Sequence, residues 1–375
     1  MAIFARTLRV RDYRNYEQFE LELDRRVTVL VGKNAVGKTN LVEALQLLTA
    51  GLSFRRPAPV ELVRVGQESC DMSLRLEGDE RVIDIACEVA SGKRSFRRNG
   101  KRCPAAGVRG VVPSVLFCPD DLDMVKRSAR VRRAALDTFG MQLNEQYAKL
   151  VGTYERIVEQ RNSLLKERWC TREVLGAWND SLVQAGSSLL VHRISLLDRL
   201  RVHLVDAYEA IAPGEHLEVT YSSTVGAIAG EQDGCPLTRD ELLVRARDLF
   251  CAALDERADE ELARGVTLVG PHRDEITFSI DGRDARSFAS QGQQRSLVLA
   301  WKVAEVEVTR DILGRPPLLL LDDVMSELDA DRRASFLRFI QDGIQTVITT
   351  TNLGYFSDDV LQRAKVVKIG DAQQS

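Results

Sequence analysis

The residues in this chain best suited to chemistry are "GKNAVGKTN", at 32–40. Gly32 and Gly37 let the backbone wrap closely, so that amide hydrogens of residues 34–39 can point at a phosphate. Lys38 stands where its ammonium reaches the β- and γ-phosphates of a nucleotide, and the Thr39 hydroxyl can ligate magnesium. Lys33, Asn34, Ala35, Val36 and Asn40 complete the cradle. A strand-like run, "RVTVLV", precedes the loop and a helical run, "NLVEALQLL", follows it, which is the context this spacing requires.

A cradle is half a site, because a carboxylate must position the metal. Two runs offer one. "VLFCPDDL" at 115–122 carries Pro119, which cannot donate to a central ladder. "LLLLDD" at 318–323 reads as a strand buried on both faces, with Asp322 and Asp323 where a parallel sheet presents its ligands. The later run fits better, although it lies more than 280 residues from the cradle. Shortly before it, "SFASQGQQRSLVLAW" places Ser290, Gln291, Gly292 and Gln293 at the opening of a long helix. Such a helix start favours an anion; in isolation it reads first as an ordinary serine/glycine cap, and beside a cradle and an acidic strand the anion reading gains. Two phosphate-seeking helix ends can share one triphosphate only if they face each other, within one chain or across two.

The elements that must hold these residues follow an α/β pattern at both ends of the chain. "IFARTLRV", "YEQFELEL" and "RVTVLV" are β-type runs, and the stretch 70–103 reads as a meander with a turn at Asn99 and Gly100. Near residue 125 the pattern becomes helical. One helix is expected over 141–166, with Tyr147, Leu150, Val151, Tyr154, Ile157 and Val158 on one face. A second is expected over roughly 179–212, with Leu190, Leu197, Leu204 and Ile211 seven apart. The two suggest an antiparallel pair of order 40 Å at ~1.5 Å per residue. The pair reads equally as a bundle core or as a coiled-coil arm. A strand at "EHLEVTYSS", a polar loop at "GAIAGEQDGCP" and a helix over 238–263 follow, before "GVTLVGPHRDEITFSIDG", a helix over 292–313, "LLLLDD", a helix from 329 and "TVITTTN". The expected architecture is a discontinuous α/β domain, 1–124 and 262–375, with a mainly helical domain, 125–261, inserted into it.

At 375 residues both domains can bury cores. The net charge of −3 means that any nucleic-acid contact must come from a local basic patch. No apolar run approaches the ~20 residues of a membrane span, and the start lacks a signal-peptide pattern. Seven scattered cysteines without a C-x-x-C pair argue against both a disulfide framework and a zinc site, so a reducing cytoplasm is the expectation.

The motifs together resemble the ABC-type ATPases, in which a signature turn from one subunit caps the nucleotide on the other. "GKNAVGKTN" matches the cradle, "SQGQQ" the signature, "LLLLDD" the magnesium strand and "SELD" (326–329) the loop that crosses the dimer interface. More narrowly, six blocks resemble the RecF family of SMC-like recombination mediators: "DYRNYEQFELEL", "GKTNLVEALQLL" with "SFRR", "FCPDDLDMV", "GPHRDEI", "SQGQQRSLVLAWKVAE" and "LLLLDDVMSELD". This resemblance implies an ABC-type P-loop head with a mixed sheet, ATP and Mg2+ as cofactors, and Thr39 and Asp322 as metal ligands. Lys38 and Asp323 are then catalytic, the latter aligning water, and residues 290–293 act in trans on a partner's γ-phosphate. Arg14 and Asn15 lie in the loop that approaches the nucleotide base in related ATPases. Ala35 stands where the family more often has glycine, and a polar or acidic residue is commoner at Lys33. Asp323 is shorter than the glutamate of many ABC ATPases, and "TTTN" (349–352) replaces a sensing histidine, which predicts slow hydrolysis suited to a switch.

The resemblance further implies an ATP-dependent homodimer that clamps DNA at single/double-strand junctions without sequence preference. With other mediator proteins it would help load recombinase on gapped DNA, supporting replication, repair and the SOS response, with weak, DNA-stimulated ATP hydrolysis. Candidate DNA contacts are Lys93, Arg94, Arg97, Arg98, Lys101 and Arg102 in "KRSFRRNGKR", Lys126 and Arg127 in "KRSARVRR", and Arg55 and Arg56. Neutralising six phosphates would lower duplex affinity by about 10³ between 50 and 200 mM salt. A solvated hairpin is the plainer account of the first cluster. His272 in "GPHRDE" reads as structural or interfacial, and Trp169, Trp178 and Trp301 as core residues. Rival readings are a long-armed chromosome-organising or break-repair ATPase, a transport ATPase subunit and an ATP-gated nuclease. The first needs far longer arms, the second normally carries the histidine, and the third needs a second acidic cluster.

Overall fold

A computed structural model describes residues 3–370, apart from 79, 229, 230, 233, 234, 341 and 342. The chain forms two compact units, Met1–Asp121 with Val298–Ser375, and Leu122–Leu297.

The first unit holds two sheets. Five short apolar strands make a wholly parallel sheet in the order Ala364–Lys368, Val27–Val31, Thr346–Thr350, Leu318–Asp322, Ser114–Phe117. Leu318–Asp322 and Thr346–Thr350 are buried at every position, as continuous apolar runs covered on both faces must be. A six-stranded antiparallel sheet carries the alternating sequences, in the order Tyr16–Glu22, Phe4–Tyr13, Ser69–Gly78, Arg81–Ala90, Lys93–Arg98, Lys101–Cys103. The helix Lys38–Ala50 is buried over most of its length, with Leu41, Leu45 and Leu48 in the same core as Leu8, Leu74 and Leu320. The expected turn at Asn99 and Gly100 has φ of +49° and +76°, the left-handed pair that a two-residue hairpin demands.

The second unit is mainly helical. A break at Asn144 replaces the expected single helix over 141–166 with Ala129–Leu143 and Glu145–Leu165. The Asn144 side chain accepts from the amides of Gln146 and Tyr147, so one asparagine starts the new helix although the apolar period runs on through it. The next helix, Arg172–Ile211, is 40 residues long, about 60 Å at ~1.5 Å per residue, and starts earlier than expected. Tyr147 meets His192 edge to face, Tyr154 would be touched by any side chain at Gly186, and Arg161 bonds Asn179. Rising numbers on one helix against falling numbers on the other mean that the pair is antiparallel. A third helix, Arg239–Arg264, closes it: Phe250 and Leu254 share a core with Tyr154 and Leu182, and Glu261 takes the buried Arg161 at 2.6 Å. Along this length the pair is a bundle core.

The second division between units falls at 297/298, where the sequence drew it near 262. Strand Glu275–Ile280 pairs with Leu217–Ser222, which ties the intervening chain to the helical unit. Of "GVTLVGPHRDEITFSIDG", only Glu275–Ile280 is a strand; the two-residue strand Arg283–Asp284, just after the run, pairs back onto it. The polar loop near 226–236 includes two-residue strands at Glu231–Gln232 and Cys235–Pro236, and part of it lies outside the described residues. Trp301 is buried, whereas Trp169 is 61% exposed in the connection between two helices, against expectation. No described helix is long and apolar enough to cross a membrane.

Candidate nucleotide site and basic surfaces

The cradle is built where the strand Val27–Val31 ends and the helix Lys38–Ala50 begins. Gly37 has φ +100°, and a side chain there would lie 2.6 Å from Asn15 and 2.8 Å from the Tyr16 hydroxyl. A side chain at Gly32 would sit 2.3 Å from the Ile369 carbonyl. Both positions therefore exclude every residue but glycine. Ala35 also takes a left-handed φ of +66°, which gives the common family glycine its physical reason. Lys33, Asn34 and Ala35 are exposed at the rim.

Lys38 is buried, and its ammonium donates to the carbonyls of Gly32 at 2.8 Å and Lys33 at 2.7 Å, so it curls over the loop that a phosphate would fill. Burial lowers its pKa, and the nearby Asp323 and Asp322 oppose that shift.

The parallel sheet brings the far carboxylate to the cradle. Thr39 Oγ1 donates to Asp322 Oδ1 at 2.9 Å across 283 residues of sequence. Thr349, on the intervening strand, donates to the same oxygen at 2.8 Å and accepts the amide of Asp323 at 2.9 Å. Asp323 has φ +54°, and its buried Oδ1 has no hydrogen-bond partner. Burial raises the pKa of both carboxyls; Thr349 and Thr39 moderate the effect at Asp322, and Lys38 does so at Asp323. A hydroxyl and a carboxylate at this spacing, with an orphaned oxygen beside them, suit a hard cation that retains water and takes phosphate oxygens. The earlier acidic run is engaged elsewhere: Asp121 accepts from the Cys118 amide and pairs with buried Lys302 at 3.3 Å.

Asn15 supports the cradle, donating to the Val36 carbonyl at 3.3 Å and accepting from Asn40 at 2.7 Å. Arg14 departs from expectation. Its guanidinium grips Glu43, fully buried in the cradle helix, at 2.8 and 3.0 Å, and also bonds the Glu61 carbonyl. Ser53, Tyr13 and Arg55 converge on the same carboxylate. Sequence reasoning missed Glu43 and Thr349. An acid inside the apolar run "LVEALQLL" was the available signal for the first; nothing in "TTTN" marked the second.

Residues 290–293 belong to the other compact unit. The Ser290 hydroxyl accepts the Gln293 amide at 3.2 Å, while the Gln293 side chain accepts the Ser290 amide at 2.9 Å, a reciprocal cap on the helix Gln291–Leu313. Ser290 and Gln291 are exposed, Gly292 and Gln293 half-buried, and Phe288 just before them is 70% exposed. In the "SELD" loop, Ser326 donates to the Asp323 carbonyl and Asp329 caps the following helix.

Of the basic candidates, Lys93, Arg97, Arg98, Lys101 and Arg102 are exposed on the hairpin, with Arg97 paired to Glu88. Arg94 turns inward to the Pro57 carbonyl. Lys126 and Arg127 are exposed, the latter paired with Asp123, whereas Arg132 of the same cluster is buried against Glu275. Arg55 bonds Asn40 of the cradle helix at 2.8 Å yet remains exposed, as does Arg56. His272 accepts from Tyr154 at 2.7 Å and faces the Thr267 carbonyl at 3.2 Å, and burial pushes its pKa down to about 4. Those bonds make it structural.

Comparison with known proteins bears on this arrangement as a whole. The family model for the RecF/RecN/SMC N terminal domain matches residues 4–373. The DNA replication and repair protein RecF of Synechocystis sp. is 38% identical over 99% of this chain and 97% of its own length. The solved recombination mediator protein RecF-ATPrS of the RecFOR pathway superposes with a TM-score of 0.86 at 28% identity, covering 98% of this chain and 96% of that one. An Smc head domain from Pyrococcus furiosus, 13% identical with a TM-score of 0.55 over 99% of this chain and 94% of that one, shares the fold. With the cradle, the distant carboxylate strand and near-complete coverage by such relatives, this chain belongs to the RecF family of DNA replication and repair proteins.

Proposed function

We propose that the chain is an ATP-driven, DNA-binding switch that acts in the cytoplasm in recombinational repair. The contact between Thr39 and Asp322 carries this reading, because it assembles a nucleotide–metal site from the two ends of the sequence. The relatives solved as RecF-ATPrS and RecF-ATP support ATP as the nucleotide. Amides of residues 34–39 and the Lys38 ammonium bind the phosphates, Lys38 exchanging its two loop carbonyls for phosphate oxygens. Thr39 and Asp322 hold magnesium, which supplies charge neutralisation at the phosphates when bound. The unpartnered Asp323 oxygen orients the attacking water.

Ser290, Gln291, Gly292 and Gln293 sit over the γ-phosphate held by a second copy, so ATP links two chains and hydrolysis releases them. A helix pair between head segments and a basic hairpin suit a dimer that clamps DNA at single/double-strand junctions, where other mediator proteins assist recombinase loading. Hydrolysis is slow and stimulated by DNA.

The test is nucleotide binding and turnover in Lys38→Ala and Asp323→Asn. Lys38→Ala should lose most ATP affinity; Asp323→Asn should bind ATP as the wild type does and hydrolyse it at least tenfold more slowly. Wild-type affinity in Lys38→Ala would remove the cradle from the account, and wild-type turnover in Asp323→Asn would remove the water-aligning role.

A further inference from the structure

Four arginines meet at the other edge of the first unit. Arg81, Arg98, Arg109 and Arg315 line an open cleft of about 460 Å3, together with Ile3, Ile83, Gly110 and Val111. Among the described residues, no carboxylate lines it. Gly110 precedes the strand Ser114–Phe117 and Arg315 precedes Leu318–Asp322, so the cleft lies at the N-terminal edge of the parallel sheet. Asp322 and the cradle occupy the C-terminal edge. From Leu318 to Asp322 alone the separation is about 13 Å at ~3.3 Å per residue, which makes this a different place from the nucleotide site.

The two inner arginines are already held. Arg109 Nε donates at 3.0 Å to the carbonyl of Ala50, the last residue of the cradle helix, and Arg315 donates at 2.9 Å to Gly110. Each spends only part of a five-donor guanidinium in this way. Burial lowers the pKa of Arg109, with no carboxylate offsetting it. A half-buried guanidinium with unused donors and no counter-charge among the described residues is costly unless an anion completes it. Arg81 and Arg98 are exposed at the mouth, and Lys101 and Arg102 continue the charge along the edge strand beside Arg98. Fixed forks inside and exposed cations at the rim match a phosphate, whose oxygens take bidentate guanidinium bonds.

We propose that this cleft is a phosphate-binding site separate from the cradle, and that it seats a backbone phosphate of duplex DNA. The choice of DNA rests on the DNA-binding reading of the basic hairpin, because the charge extends beyond the space of one phosphate group. A free pyrophosphate or nucleotide tail carries the same chemistry and is separated by the test.

The experiment compares wild type with the double variant Arg81→Gln/Arg315→Gln, using fluorescence anisotropy of a labelled 30-base-pair duplex at 50, 100 and 200 mM salt with ATP and magnesium present. In parallel, pyrophosphate is titrated calorimetrically into Lys38→Ala with and without the two cleft substitutions. ATP affinity and the thermal midpoint of the double variant should match wild type, showing an intact fold. The expected result is a loss of duplex affinity of about tenfold at 50 mM salt, with the salt slope reduced by about 0.9 for the lost phosphate. Equal affinity and slope in wild type and variant, without a cleft-dependent pyrophosphate signal, overturns the proposal. A wild type that binds no duplex sinks the DNA reading itself; the cleft then stands as a site for free phosphates if the pyrophosphate signal disappears with the arginines, and falls if there is none.

Discussion

Glu43 is a carboxylate with no exposed surface, and Arg14, Arg55, Ser53 and Tyr13 gather around it beneath the cradle helix. A buried charge with its partner removed is costly, so the account expects Arg14→Ala to lose about 3 kcal/mol of stability. Chemical unfolding measures that loss, and nucleotide titration of the folded variant should show affinity and base preference close to wild type. The opposite pattern, full stability with altered base preference, would return Arg14 to the nucleotide. The resemblance alone could not separate these roles, because motif position says where a residue lies and not where its guanidinium points. For the cradle glycines, Thr39 and Asp322, type and spacing were enough to anticipate the close backbone turn and the hydroxyl–carboxylate contact that the structure shows. Glu43 shows in the sequence only as an acid within an apolar run, and Thr349 acts through Asp322 and Asp323, distant in sequence, with no local pattern to mark it.

At the scale of elements, His272 joins the loop at 267–274 to the helix Glu145–Leu165 through Tyr154. Gly270 has φ +120°, and a side chain there would meet the Tyr154 hydroxyl at 2.5 Å, so the glycine and the histidine of "GPHRDE" serve one packing. The histidine is held neutral, with a folded pKa of about 4 against 6.5 when unfolded. The unfolded state therefore binds more protons between those values, and stability falls as pH drops through that window. Its contribution to the loss between pH 7 and pH 5 is about 2 kcal/mol. Urea unfolding at the two pH values should show His272→Gln losing less than wild type by about that amount. Equal losses would mean that the imidazole titrates freely. The sequence read the long apolar runs correctly as strands and helices, because burial on both faces or along one stripe leaves a period. It missed the break at Asn144, where a cap interrupts the backbone and the stripe continues. It also missed the strand Ala364–Lys368, whose short, half-exposed "AKVVK" has too little pattern to declare itself.

At the scale of the molecule, the nucleotide site and the signature turn lie in different compact units of the chain, and the proposed switch closes when a second copy supplies the turn. The serine that would face the partner's γ-phosphate now serves as a helix cap through its hydroxyl and amide, a bonding pattern compatible with either role. Ser290→Arg places a bulky cation at an exposed helix start, so it should disturb association far more than folding. The most direct measurement is the solution mass, by sedimentation, of wild type and Ser290→Arg with and without ATP and magnesium. ATP should convert wild type from monomer to dimer, while Ser290→Arg should bind ATP with similar affinity and remain a monomer. A wild type that stays monomeric with saturating ATP and DNA, or a Ser290→Arg protein that dimerises as readily, would contradict the trans-acting turn and leave "SQGQQ" as a helix cap.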